Sequence, residues 1–83
     1  MVSLKPSKIT EFLGWYGMLT LIGAYFLVSF GFIAASGLTF QMLNITGGAA
    51  LVIFAISKEA TQLAVLNIFW ALIGILAIIR IIV

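Results

Sequence analysis

The residues of this chain that could do chemistry are neutral hydrogen-bonding side chains set within long apolar segments. Four of them are the most informative: Tyr25, Asn44, Asn67 and Trp70. Each offers a hydroxyl, an amide or an indole N–H, and such groups can bind a small uncharged or polar solute through hydrogen bonds. A polar side chain surrounded by hydrocarbon is costly unless it finds a partner, so these positions indicate either a binding path or a contact between helices.

Several kinds of site are excluded because the chain lacks the side chains that would form them. The sequence has no His and no Cys, which removes imidazole catalysis, thiolate metal sites and disulfides. Its acidic residues, Glu11 and Glu59, lie at the edges of the apolar segments, so we expect no carboxylate at depth. With no nucleophile–base pair and no set of metal ligands, we predict a protein that is not an enzyme and holds no metal or other cofactor. Four basic residues are too few for a nucleic-acid surface, so we expect no nucleic-acid partner.

Three apolar segments position these residues, and they decide the predicted fold class. The chain is 65% hydrophobic, and a soluble domain of 83 residues could not bury that much apolar surface. A helix of ~20 residues matches a hydrocarbon core of ~30 Å. We predict an all-α membrane protein with a polar N-terminal lead over residues 1–10 and one domain over 11–83. Its transmembrane helices are expected at about 11–33, 39–57 and 61–82.

The predicted helix ends and the basic residues give a topology. Thr10 is the expected N-cap of the first helix and Gly37 its expected C-cap. Because both connections are short, the helices should run antiparallel to one another. The positive-inside rule is applied to the basic residues, which are Lys5, Lys8, Lys58 and Arg80. Three of the four lie on the cytoplasmic side if the N-terminus is inside, so we predict an N-in, C-out orientation.

Each predicted helix also carries a stripe of small or polar residues at steps of three and four. The small residues expected to pack are Gly14, Gly17, Ala24, Gly48, Ala71 and Gly74. In lipid, helices associate through small residues that allow close approach, so these stripes predict an antiparallel three-helix bundle. Gly31 continues the stripe of the first helix. Four further small residues are expected to remain free for a contact between protomers, namely Gly23, Gly47, Ala49 and Ala50.

Counting residues from the predicted helix ends gives each polar group a depth. Tyr25 and Asn44 both come out ~8–10 Å from the outer surface, so they could share a hydrogen bond. Asn67 and Trp70 lie deeper, which predicts an offset of roughly 13 Å between Asn44 and Asn67. Two interpretations stay open for these residues: they join neighbouring helices, or they line a polar cavity. Glu11 is expected to pair with Lys8 at the interface.

Several short motifs resemble a family of small prokaryotic three-helix membrane proteins of uncharacterised function. They are Gly14-Trp15, Ala24-Tyr25, Gln41-Met42-Leu43-Asn44, Gly47-Gly48 and Leu66-Asn67-Ile68-Phe69-Trp70-Ala71. More distantly, the chain is similar to SemiSWEET transporters, three-helix units that pair as homodimers around a solute path. That resemblance implies substrate contact by Asn67 and a cavity-lining role for Trp70. The Pro-Gln hinge of that family is missing, because Leu27 and Val28 stand in its place.

These observations leave two functional hypotheses. In the first, the chain forms a homo-oligomer, with a dimer favoured, and works as a transporter-like half-unit for a small uncharged or polar solute. In the second, it is a non-transporting structural or accessory subunit that packs on a larger membrane protein. In both, membrane lipid surrounds the helices, and the resemblance implies the prokaryotic cytoplasmic (inner) membrane.

Overall fold

The computed structural model describes residues 5–83, which form three helices joined by two turns. The helices are α1 (Lys8–Ser29), α2 (Leu38–Ser57) and α3 (Thr61–Ile82). All three are long and apolar enough to cross a membrane, which confirms the predicted all-helical class. The helix ends differ from the sequence prediction at α1, which begins at Lys8 and ends at Ser29 rather than spanning residues 11–33.

A capping box fixes the start of α1. Ser7 is the N-cap: its backbone N–H donates to Thr10 Oγ1 at 2.8 Å, and its side chain accepts from the backbone N–H of Thr10 at 3.3 Å. Thr10, the expected N-cap, is therefore the third residue of the first turn. The box satisfies orphan N–H groups that the first turn cannot pair internally. The helix consequently starts immediately after the Pro6-Ser7 pair.

Both connections end their helix with the same backbone motif but with different residues in the left-handed position. At the end of α1, Gly31 has φ +78° and the N–H of Phe32 donates to Leu27 O at 2.8 Å. At the end of α2, Glu59 has φ +57° and the N–H of Ala60 donates to Ala55 O at 2.8 Å. This is the Schellman arrangement, in which glycine is the usual residue. Gly31 thus ends the helix instead of extending its stripe, and the expected C-cap, Gly37, is instead the N-cap of α2.

Helix α2 lies between α1 and α3 and packs against both. Within the described residues, no Cα of α1 lies within 8 Å of a Cα of α3. The order of contacts along the chain is antiparallel for both pairs. The same arrangement places the start of α1 beside the end of α2, where Lys58 Nζ lies 3.9 Å from Glu11 Oε2. Glu11 therefore pairs with Lys58 and not with Lys8.

Glycines bring α1 and α2 into backbone contact. A Cβ added at Gly17 would lie only 2.7 Å from the carbonyl oxygen of Gly47 and 2.7 Å from Leu51. One added at Gly14 would lie 2.6 Å from the ring of Phe54. Since Gly47 is used here, and Ala50 is also buried, neither is free for a contact between protomers. Gly23 has nothing within 4 Å of its Cβ position, and Ala49 is exposed.

The contact between α2 and α3 is less tight. A Cβ at Gly48 would meet the carbonyl oxygen of Asn67 at 3.5 Å and Ala71 at 3.8 Å, which are ordinary van der Waals distances. Gly74 is closer to its neighbour, at 2.9 Å from Ile45 Cγ1. Because the closest approach, at Gly74, is to a side chain and not to a backbone atom, this contact has more room to adjust than the contact between Gly17 and the Gly47 carbonyl.

Candidate functional site

Because no Cα of α1 lies within 8 Å of a Cα of α3 among the described residues, a groove runs between these helices with α2 as its floor. The groove consists of two clefts, which we call the apolar cleft and the polar cleft. The apolar cleft, of about 530 Å³, is lined by Glu11, Gly14, Trp15, Met18, Leu21, Ile22, Leu51, Phe54 and Leu63. The polar cleft, of about 480 Å³, is lined by Leu21, Ile22, Tyr25, Phe40, Gln41, Asn44, Trp70, Ile73 and Gly74. Leu21 and Ile22 belong to both linings and mark the boundary between the clefts.

The polar cleft brings together three of the four polar residues singled out from the sequence. Tyr25 comes from α1, Asn44 from α2 and Trp70 from α3. They converge because α2 pairs antiparallel with both neighbours, so the end of α1, the start of α2 and the second half of α3 lie at one level. Tyr25 and Asn44 therefore share a level, although no hydrogen bond joins them among the described residues.

The hydrogen-bonding groups of these three residues are available to a ligand. Within residues 5–83, the Tyr25 hydroxyl, the Asn44 amide and the Trp70 indole N–H have no hydrogen-bond partner. Asn44 is half-buried, whereas Tyr25 and Trp70 have 72% and 47% of their surface exposed. All three side chains can donate a hydrogen bond, and Tyr25 and Asn44 can also accept one. Such groups beside apolar walls are the usual composition of a small-molecule site.

Gln41 is a polar residue of this cleft that the sequence analysis left out of the candidate site. It is buried, and its Nε2 donates to Ala35 O at 3.0 Å, which ties the connection before α2 to the helix itself. Its position three residues before Asn44 places both amides on one helix face. The spacing of three residues between Gln41 and Asn44 could have indicated that Gln41 belongs to the candidate site. A polar residue in the first turn of a helix, however, more often bonds to the preceding loop.

Asn67 lies outside the linings of both clefts. Only 2% of its surface is exposed, and its Nδ2 donates to Leu63 O of its own helix at 3.0 Å. Its Oδ1 is buried and has no hydrogen-bond partner among residues 5–83. Gly74, seven residues after Asn67 on α3, faces Gln41 O and Ile45 of α2 on either side of Asn44, so the two asparagines are offset by ~10 Å along the helices. The predicted offset was roughly 13 Å, and among the described residues no hydrogen bond joins the two asparagines.

The small residues selected for helix packing lie at the contacts that form this groove. Gly14, Gly17 and Ala24 are buried on α1, and Gly48 is buried on α2. Gly74 is buried on α3, and Ala71 is half-buried beside Gly48. No group of three or more His, Asp or Glu side chains that could hold a metal ion occurs in the part of the chain that the structure describes.

Comparisons with known proteins give a family but no characterised relative. No curated protein and no solved structure matches this chain. One family model matches from Thr10 to the last residue, and the match includes all three helices apart from the first two residues of α1. The chain therefore belongs to that family, an uncharacterised one, over residues 10–83.

Proposed function

We propose that this protein crosses a membrane three times and binds a small uncharged polar solute in the polar cleft, as one half-unit of a homo-oligomeric transporter. One observation carries the proposal: Tyr25, Asn44 and Trp70 reach the same cleft from three different helices. In a membrane, polar groups without partners are costly. A solute that exchanges hydrogen bonds with them offsets that cost.

The chemistry of the cleft sets the class of solute. No acidic or basic residue is among its lining residues, so a charged solute would have no counter-charge there. The Trp70 and Tyr25 rings supply flat apolar surfaces, while the Asn44 amide donates and accepts. Polyols and simple sugars, which present hydroxyl groups along an apolar carbon frame, match this combination.

The resemblance to SemiSWEET transporters supports a paired arrangement. In such a pair, two protomers would enclose one path, and a dimer is our preferred homo-oligomer. Because Asn67 is buried at the contact between α2 and α3, we propose Asn44 rather than Asn67 as the amide that contacts solute. The basic residues Lys5, Lys8 and Lys58 favour an N-in, C-out orientation in a prokaryotic cytoplasmic membrane.

Flux through liposomes tests this function. Purified protein is reconstituted, and the entry of radiolabelled glycerol and glucose is compared with that into protein-free liposomes. We expect faster entry with the wild type and about tenfold slower entry with Asn44→Leu, because one lost hydrogen-bonding group costs ~1.4 kcal/mol or more. Ala49→Leu, an exposed position on the same helix, is the matched control and should keep wild-type entry.

Flux that is equal in Asn44→Leu and wild type, or absent from both, would contradict the proposed solute site. An absence of flux would favour the second candidate, a non-transporting accessory subunit. The observation behind that candidate is the absence of a hinge: Leu27 and Val28 lie within an uninterrupted α1. Native mass spectrometry of gently extracted protein separates the two candidates, since an accessory subunit would co-migrate with a larger membrane protein in fixed ratio.

A further inference from the structure

The apolar cleft has the length of one membrane leaflet. Its lining on α1 extends from Glu11 to Ile22, which is eleven residues or ~16 Å along the helix axis. Half of a hydrocarbon core of ~30 Å is ~15 Å. The floor and walls between these ends are apolar, with Met18 on one side and Leu51 on the floor. A single extended acyl chain entering from one interface would reach the level where the polar cleft begins.

A pair of opposite charges stands at the interfacial end of this cleft. Glu11 is a lining residue, and Lys58 Nζ lies 3.9 Å from its Oε2. Both side chains are about half exposed, at 54% and 43%. The same ammonium lies 5.8 Å from the ring centroid of Phe54, another lining residue. A positive group and a negative group therefore lie side by side at one end of an apolar channel.

We propose that the apolar cleft is a binding site for one glycerophospholipid of the surrounding bilayer, with a zwitterionic headgroup that carries a primary ammonium. Its phosphate pairs with Lys58, its ammonium with Glu11, and one acyl chain fills the cleft. The charges of this headgroup complement the ion pair, which neither an anionic nor an uncharged headgroup does. The proposal rests on the proposed membrane location and does not depend on solute transport.

A helix of a partner protein is a poorer fit to this cleft than a lipid chain. An α-helix with its side chains is ~10–12 Å wide, and one lying along the groove would have to pass the boundary at Leu21 and Ile22. It would also need a residue that complements Glu11 and Lys58 at its end. A lipid meets both conditions at once, because its chain ends near the midplane and its headgroup lies at the interface.

Native mass spectrometry with defined lipids tests the site. Detergent-solubilised protein is delipidated and then given phosphatidylethanolamine or phosphatidylglycerol of identical acyl chains. We expect one phosphatidylethanolamine per protomer, retained at an occupancy at least about fivefold above that of phosphatidylglycerol. Met18→Trp fills the cleft and should remove this retention, whereas Leu76→Trp should not. Leu76 is an exposed residue of α3 that lines neither cleft.

Two further variants separate the headgroup from the chain. Glu11→Gln removes the partner of the lipid ammonium and should abolish the preference for phosphatidylethanolamine, whereas Lys58→Gln should weaken retention of both lipids. Equal retention of the two lipids in the wild type, or equal retention in Met18→Trp and Leu76→Trp, would overturn the proposal. Release of the protein from native membranes by alkaline carbonate would instead overturn the membrane location, so the two failures are distinguishable.

Discussion

The two clefts share a floor, a boundary and the same three helices, yet their linings differ in chemistry. The apolar cleft has one charged side chain, Glu11, which lies near the start of α1. The polar cleft has hydrogen-bonding side chains from all three helices, with Asn44 on its floor. The difference teaches that packing glycines determine the shape of the groove, while a few side chains determine the chemistry of each cleft. The small residues and the polar residues can therefore be tested separately.

The largest loss of stability is expected at the contact between Gly17 and the Gly47 carbonyl, on which both clefts depend. Gly17→Leu places side-chain atoms where the Gly47 carbonyl lies, and such overpacking costs about 3 kcal/mol or more. We expect separation of α1 from α2 and loss of both clefts together. SDS titration measures the change in the free energy of unfolding. Gly23→Leu, with open space around its Cβ position, is the matched control, and equal destabilisation by the two variants would contradict the close contact.

A pair of filling variants should separate the clefts. Met18→Trp adds bulk to the apolar cleft and Ile73→Trp adds it to the polar cleft. Each should lower occupancy of its own cleft about tenfold, a change of ~1.4 kcal/mol, and leave the other unchanged. Lipid retention reports on the first cleft and solute entry on the second. Loss of both readouts in either variant would show that the clefts act as one site.

Substitutions at the two left-handed turn positions, Gly31 and Glu59, should alter the free energy of unfolding without altering either cleft. Gly31→Ala puts a side chain at φ +78° and should lower the free energy of unfolding by about 1 kcal/mol. Glu59→Gly relieves the same strain at φ +57° and should raise it by about 0.5 kcal/mol, since glycine also loses more backbone entropy. SDS titration checks both signs. Changes of the same sign would contradict the shared Schellman geometry.

The smallest effect is expected at Asn67. Its hydrogen bond lies within α3, so Asn67→Ala leaves the contact of Gly48 with Ala71 in place. We expect a loss of stability of no more than about 0.6 kcal/mol and unchanged solute entry. The liposome assay compares this variant with Asn44→Leu. If Asn67→Ala abolished entry while Asn44→Leu did not, the assignment of the polar cleft would be wrong and the direct SemiSWEET analogy would be favoured.

The three helices could be predicted from the sequence because apolar length is a strong local signal. The stripes also pointed to the buried faces, since Gly14, Gly48 and Gly74 are all buried. The end of α1 could not be predicted with the same certainty, because Gly31 and Gly37 are both suitable for ending a helix. Only the backbone shows that Gly31 takes the left-handed conformation.

The candidate site was predicted only in part, because its assembly depends on which faces of α1 and α3 pack against α2. Tyr25 and Asn44 were placed at one level by counting residues, and they do line one cleft. Counting gave a depth for Asn67 but could not show that its side chain is buried against α2 near Gly48. Nothing in the sequence pattern gives the separation of α1 from α3 that opens the groove.

The most direct test of the account measures whether the two clefts differ in access to water. The chain has no Cys, so single cysteines can be introduced without background. Met18→Cys, Asn44→Cys and Ala49→Cys are reconstituted in liposomes and treated with a small hydrophilic maleimide, which reacts only with a hydrated thiolate. The account predicts rapid labelling of Asn44→Cys and little labelling of the other two. Equal labelling at all three positions, or none at Asn44→Cys, would contradict it.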